Sequence, residues 1–128
     1  MVAVKEIMSK VLLKVDGRTP IREVAMLMKR ERVGSILVTH EDQINGIVTE
    51  TDIVTKLVAP HLDADSTQAA MIMSSPLLAI EADRSLLEAS DLMDRKHVRH
   101  LAVRENGKIV GMVSARDLLH PLYLEEEG

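Results

Sequence analysis

The 128-residue sequence has no cysteine, no phenylalanine and no tryptophan, and its one tyrosine is Tyr123. Without thiols there are no disulfides and no thiolate metal sites, and a cytoplasmic location is expected. With almost no aromatics the core must be Ile, Val, Leu and Met, the eight methionines filling irregular gaps. The same lack removes the stacking platforms that hold single-stranded nucleic acid. A bound base would have to be gripped by aliphatic side chains and backbone amides. A net charge of −4 also opposes broad attraction to nucleic acid. No window holds the roughly 18 unbroken apolar residues of a membrane span. Met1–Glu6 lacks a basic region followed by an apolar run, so no signal peptide is expected.

What the chain does have is a repeat. Gly46–Asp52 (Gly-Ile-Val-Thr-Glu-Thr-Asp) returns as Gly111–Asp117 (Gly-Met-Val-Ser-Ala-Arg-Asp), 65 positions on. Ile7-Met8-Ser9 returns as Ile72-Met73-Ser74 at the same offset, Leu27-Met28 as Leu92-Met93, and Val33 and Val38 as Val98 and Val103. An ungapped register of this length marks one supersecondary unit written twice. One copy of about 60 residues would bury only roughly 60% of its unfolded surface, so the two are expected to share one core.

Periodicity and turn signals give each copy the order β-α-β-β-α. In the first, Val11–Val15 reads as a strand and Asp16-Gly17-Arg18 as a turn in which Gly17 supplies a positive φ. Thr19-Pro20 reads as N-cap and first helical residue, and Ile21, Val24, Ala25, Leu27 and Met28 form the buried helix face. Strands Val33–Val38 and Ile44–Val48 flank a turn at His40–Gln43, and a helix follows over Glu50–Val58. Gly46 inside a strand implies close approach by another backbone or a ligand. In the second copy Ser85-x-x-Glu88 reads as a full capping box, and Asn106-Gly107 as the hairpin turn between Val98–Val103 and Ile109–Val113. A short helix from about Ala115 ends near Pro121. The expected organisation is residues 1–60 as the first repeat, 61–69 as linker, 70–124 as the second repeat and 125–128 as an acidic tail.

Thr49-x-x-Asp52 and Ser114-x-x-Asp117 have two readings. A hydroxyl residue with an acid three positions on suits a helix N-terminus, although Asp is a shorter partner than Glu or Gln for the reciprocal bond. A carboxylate at a helix start can equally accept both protons of a ribose 2′,3′-diol, beside N–H groups that favour an anion. Together with the duplicated order and the Ile-Met-Ser lead-in, these motifs resemble the tandem CBS (cystathionine-β-synthase) domain pair over about residues 6–122. The resemblance implies an α/β (α+β) fold of two repeats related by a pseudo-twofold, with clefts that bind adenosine nucleotides such as AMP, ADP or ATP. It implies that Asp52 and Asp117 hold ribose hydroxyls and that Thr49 and Ser114 contact ribose or phosphate. By the same resemblance the Asp117 cleft borrows the strand end at Lys14–Arg18, and the Asp52 cleft borrows Ala79–Asp83. Gly17 and Ala82 stand where some members have Thr, so neither offers a hydroxyl.

Charge separates the copies. Arg99, His100 and Arg116 surround Asp117, with Lys14 expected from the first copy; their counterparts Gly34, Ser35 and Thr51 carry no charge. Each Arg–phosphate bond contributes about 1.5–3 kcal/mol. The main site is therefore expected at Lys14, Gly17, Arg99, His100, Ser114, Arg116 and Asp117, and a weaker one at Ser35, Thr49, Asp52 and Ala82. His97-x-x-His100 lacks a nearby third metal ligand, His40, His61 and His120 read as loop residues, and no catalytic constellation is present. A regulatory nucleotide-binding module, not an enzyme, is the expected function. Val54, Leu57, Val58, Leu118 and Leu119 on its helices would pair two copies into a homodimer by the same resemblance, and an unidentified regulated protein would complete the partners. The alternatives are a dimerisation module with empty clefts and, less favoured, a nucleic-acid binder kept open by Arg99 and Arg116.

Overall fold

The 65-residue offset reappears as hydrogen bonds. The computed structural model describes residues 1–119; His120, the helix end at Pro121, Tyr123 and the acidic tail lie outside the described residues. In the first copy β1 (Lys14–Asp16) pairs in parallel with β2 (Ser35–His40), which pairs antiparallel with β3 (Gln43–Thr49). In the second, β4 (Ala79–Glu81), β5 (His100–Glu105) and β6 (Lys108–Ser114) repeat that order and register. Helices α1 (Ile21–Glu31), α2 (Glu50–Ile53), α3 (Ala69–Ile72) and α4 (Leu86–Lys96) accompany the strands, Val4–Glu6 forms a 3-10 turn, and residues 115–119 are helical. The expected helix over 50–58 is α2 followed by one π-wound turn, Val54–Val58, closed by the Ala59 N–H on the Val54 carbonyl.

Both hairpins turn through two residues of positive φ. These are Glu41 and Asp42 (49° and 64°) in the first copy, and Asn106 and Gly107 (52° and 77°) in the second. Such a turn matches strand twist, and Asn-Gly enters it most readily. Gly17, by contrast, has no positive φ, contrary to expectation. Its missing side chain makes room for Ala70, whose Cβ would lie 3.1 Å from a Cβ placed there.

The chain divides into two compact units, one contiguous (Leu13–Leu77) and one split (Met1–Leu12 with the chain from Leu78 onward). Where one shared core was expected, buried residues form two clusters. Ile21, Val24, Met28, Ile36, Val38, Val48, Leu57, Ala69 and Ile72 fill the contiguous unit. Val4, Leu86, Ala89, Met93, Leu101, Val103, Val113 and Leu118 fill the split one. Each large aliphatic chain removed from water stabilises its cluster by about 1.5–3 kcal/mol. Leu57 and Leu118, expected on a dimerising face, are thus core residues, while Val54, Val58 and Leu119 are exposed.

The units owe their composition to the two lead-in segments. Residues 2–9 pack on the sheet of the second copy, and residues 67–74 on that of the first. Val4 and Lys5 donate to the carbonyls of Arg84 and Ala82 at 2.8 and 3.0 Å; Ala69 and Ala70 donate to Thr19 and Gly17 at 2.8 and 2.9 Å. The Leu86 N–H bonds the Val2 carbonyl, and the Ile21 N–H bonds that of Thr67. Helix α1 therefore starts one residue later than expected, with Pro20 at its N-cap. Its first amides are satisfied by Thr67 and Ala64, in the stretch read as a linker, where Asp65 also pairs with Arg22.

Each lead-in ends in a short antiparallel bridge to the hairpin. Ser9 exchanges hydrogen bonds of 2.8 and 2.9 Å with Met112, and Ser74 exchanges bonds of 2.7 and 3.1 Å with Ile47. A Cβ at Gly46 would lie 2.7 Å from the Ser74 carbonyl oxygen; one at Gly111 would lie 2.8 Å from that of Ser9. The approaching backbone expected at Gly46 is thus the lead-in. Gly46→Ala and Gly111→Ala should each destabilise the fold by about 1–3 kcal/mol, read as a lower urea midpoint, because a peptide must shift to admit the methyl. Unchanged midpoints would refute the close approach.

Candidate functional site

At the ends of β3 and β6 the chain turns directly into a helix, and both turns close as reciprocal caps. The Thr49 N–H donates to Asp52 Oδ2 at 2.9 Å, and the Asp52 N–H to Thr49 Oγ1 at 3.2 Å. The Ser114 N–H donates to Asp117 Oδ2 at 2.8 Å, and the Asp117 N–H to Ser114 Oγ at 3.2 Å. The shorter acid, expected to be the poorer partner, makes the full box. The longer one does not: Ser85 accepts from the Glu88 N–H at 3.1 Å, but the Glu88 carboxylate turns to Arg84 at 3.4 Å. The expected box at Ser85 is therefore half made, because an arginine at i−4 offers the acid a charged partner.

Beyond the caps the two acids differ. Asp52 is 4% exposed. Its Oδ2 also accepts from the Thr49 hydroxyl at 3.1 Å, while Oδ1 accepts from the Ser74 hydroxyl at 2.8 Å and pairs with Lys56 Nζ at 2.8 Å. Lys56 Nζ donates further to the Ile72 carbonyl at 3.2 Å and to Ser74 Oγ at 3.4 Å. Asp117 is only half-buried, and its partners among the described residues are on Ser114 alone. Lys56 and Ser74 were not singled out from sequence. Lys56 carried a signal, an acid-to-lysine spacing of four on a helix; Ser74 carried none beyond its place in the repeat.

The strand ladder gathers the expected cationic residues around Asp117. His100 is paired with Ser114, and the Ala115 N–H bonds the Arg99 carbonyl at 2.8 Å. Arg99, His100, Ser114, Arg116 and Asp117 thus share one corner of the split unit. Arg99 and Arg116 are exposed, and neither has a carboxylate partner among the described residues. The matching corner is built alike, with Ser35 paired to Thr49 and the Glu50 N–H on the Gly34 carbonyl at 3.2 Å, but Gly34, Ser35 and Thr51 leave it uncharged.

Lys14 and Gly17 belong to the contiguous unit, Lys14 exposed at the start of β1. The backbone of Gly17 and of Ala82 is engaged within its own unit. The Gly17 N–H bonds the Thr39 carbonyl at 2.9 Å, and the Ala82 N–H that of Arg104 at 2.9 Å, while both carbonyls receive the lead-ins. Ala82 is 3% exposed. These strand ends are docking points for the chain itself.

The CBS-domain family model matches residues 4–59 and 69–123. The chain belongs to the CBS-domain family, as a tandem pair. A CBS-domain protein of known structure from Burkholderia ambifaria superposes with a TM-score of 0.93 at 27% identity, covering 98% of this chain and 96% of that one. The CBS domain-containing protein YhcV of Bacillus subtilis is 32% identical over 118 residues, 92% of this chain and 84% of its own. An uncharacterized protein of Methanopyrus kandleri is 38% identical over 99 residues, and there the match spans 50% of the relative's length.

Within the CBS pair the unequal surroundings of the two acids have unequal consequences for stability. Asp52→Ala strands Lys56 and removes a cap, and should cost about 2–4 kcal/mol. Asp117→Ala removes a cap alone and should cost about 1 kcal/mol. Urea unfolding of the two variants measures the difference; equal losses would show that the Lys56 network contributes nothing.

Proposed function

We propose that this CBS pair is a regulatory module that binds an adenosine nucleotide at the Asp117 corner and acts through binding, without catalysis. The carrying observation is the unequal engagement of the two repeated acids. Asp117 keeps an oxygen with no described partner at a helix start, where a ribose diol can donate, in the same corner as Arg99 and Arg116, which have no carboxylate partner among the described residues. The ribose is assigned to Asp117 and Ser114, and the phosphate to Arg99, Arg116 and His100. Ser35, Thr49 and Asp52 form the weaker counterpart, since Asp52 is already bonded and the cation beside it, Lys56, is paired with its carboxylate. Arginine is suited to phosphate because its planar fork meets phosphate oxygens in pairs.

A nucleotide at about one hundred times its dissociation constant should stabilise the fold by about 2.7 kcal/mol. Asp117→Ala should abolish the resulting melting shift, Arg116→Ala should weaken binding and flatten its salt dependence, and Asp52→Ala should leave the shift in place. Loss of the shift in Asp52→Ala but not in Asp117→Ala would move the site to the other repeat. No shift with any adenosine ligand at millimolar concentration would leave a dimerisation module as the better account.

That second reading has its own support in the exposed Val54, Val58, Leu87 and Leu119. Helix faces of this kind are covered in a homodimer. Sedimentation at micromolar concentration should show a species of twice the 14.2 kDa chain mass; a monomer alone would refute pairing.

A further inference from the structure

Asp52 differs from Asp117 in the number of donors it already serves. An ionised carboxylate offers about four lone-pair sites. At Asp52 four donors reach it: the Thr49 N–H and hydroxyl on Oδ2, and the Ser74 hydroxyl and Lys56 ammonium on Oδ1. At Asp117 the Ser114 N–H is the one described donor. Two residues make this difference on Oδ1, and only one of them is repeated. Ser74 has a counterpart in Ser9, which instead accepts from the Val11 N–H at 3.3 Å. Lys56 has none: 65 positions on stands Pro121, which carries neither charge nor donor.

We infer that Lys56 decides which of the two repeated acids is open to a ligand, its ammonium holding Asp52 as an internal counter-ion so that Asp117 alone can accept a ribose diol. This rests on the reading of Asp117 as a ribose acceptor. The ammonium is held by three oxygens, Asp52 Oδ1, the Ile72 carbonyl and Ser74 Oγ. It stands where a ligand hydroxyl would have to reach Oδ1, and it fastens the π-wound turn after α2 to the lead-in at residues 72–74. An entering diol would therefore have to displace a charge-assisted bond from a buried acid, whereas at Asp117 no described partner holds the second oxygen. Removing the Lys56 ammonium and the Ser74 hydroxyl together leaves both lone pairs of Oδ1 vacant, the number that a 2′,3′-diol requires.

The test uses AMP as probe, calorimetry as readout and Asp117→Ala as the silent background. Lys56→Ala with Ser74→Ala in that background should regain one AMP per chain, and adding Asp52→Asn should remove it again. A combined variant that melts cooperatively yet stays silent overturns the inference. If that variant does not fold, Lys56→Met in place of Lys56→Ala keeps the stem packing and carries the same expectation. A wild-type chain that binds no AMP sinks the ribose reading, and the lysine is then judged on the protein alone. Lys56→Met should speed hydrogen exchange at the Ser74 amide, which bonds the Ile47 carbonyl at 2.7 Å, by about tenfold. An unchanged rate overturns the role of Lys56 as a clasp.

Discussion

Most of the architecture depends on one close approach, the passage of a lead-in backbone over a glycine in the hairpin strand. At Gly46 and Gly111 a peptide carbonyl lies where any Cβ would intrude, within 2.7 and 2.8 Å. The contact lets Ser74 and Ser9 each exchange two hydrogen bonds with a strand edge that would otherwise expose unpaired groups. Once seated there, each lead-in also meets the first amides of a helix and buries Val4 or Ala69 in the aliphatic cluster. In the contiguous unit the same seating carries the Ser74 hydroxyl to Asp52. Sheet edge, helix start, core and acid are served by a single passage of chain.

The caps show how one short motif can be structural and still be available for chemistry. A reciprocal box uses one carboxylate oxygen and leaves the other pointing elsewhere. At Asp117 that second oxygen has no described partner, so the helix-cap reading and the ligand reading are compatible. At Asp52 it is consumed by Ser74 and Lys56, and the motif becomes a tie between a helix and a lead-in. The lysine that makes this tie has no counterpart in the sequence of the second copy, where Pro121 stands.

Local chemistry was legible in the sequence, and long-range pairing was not. The Asn106-Gly107 turn, the amphipathic α1 and α4, the duplicated β-α-β-β-α order and a backbone passing Gly46 all follow from residue type and spacing. The offset of 65 marks residues 4–9 and 69–74 as equivalents, but an offset carries no information about which sheet each one docks on. That gap concealed the two separate clusters, the carbonyl caps on α1 and the true reason for glycine at position 17. The apolar stripes of the last helices were read as one face, yet Leu57 and Leu118 turn inward while Val54, Val58 and Leu119 do not. At the site, the charges around Asp117 could be read along the chain. The saturation of Asp52 could not, because Ser74 lies 22 residues away and reaches the acid only through the lead-in.

The docking of the lead-ins also sets an order in time. The unit of residues 13–77 is contiguous, so every strand, helix and docking segment it needs is present once residue 77 has been synthesised. The other unit must wait. Its Val4 and Lys5 find their partners at Arg84 and Ala82, and Ser9 finds Met112, so its first segment is made early and cannot complete its bonds until the last described strand exists. Domains generally fold as units during synthesis, and closing a long loop is slow compared with local pairing. The chain therefore assembles from its middle outward. The bridge of Ser9 to Met112 is the last of these contacts to be secured.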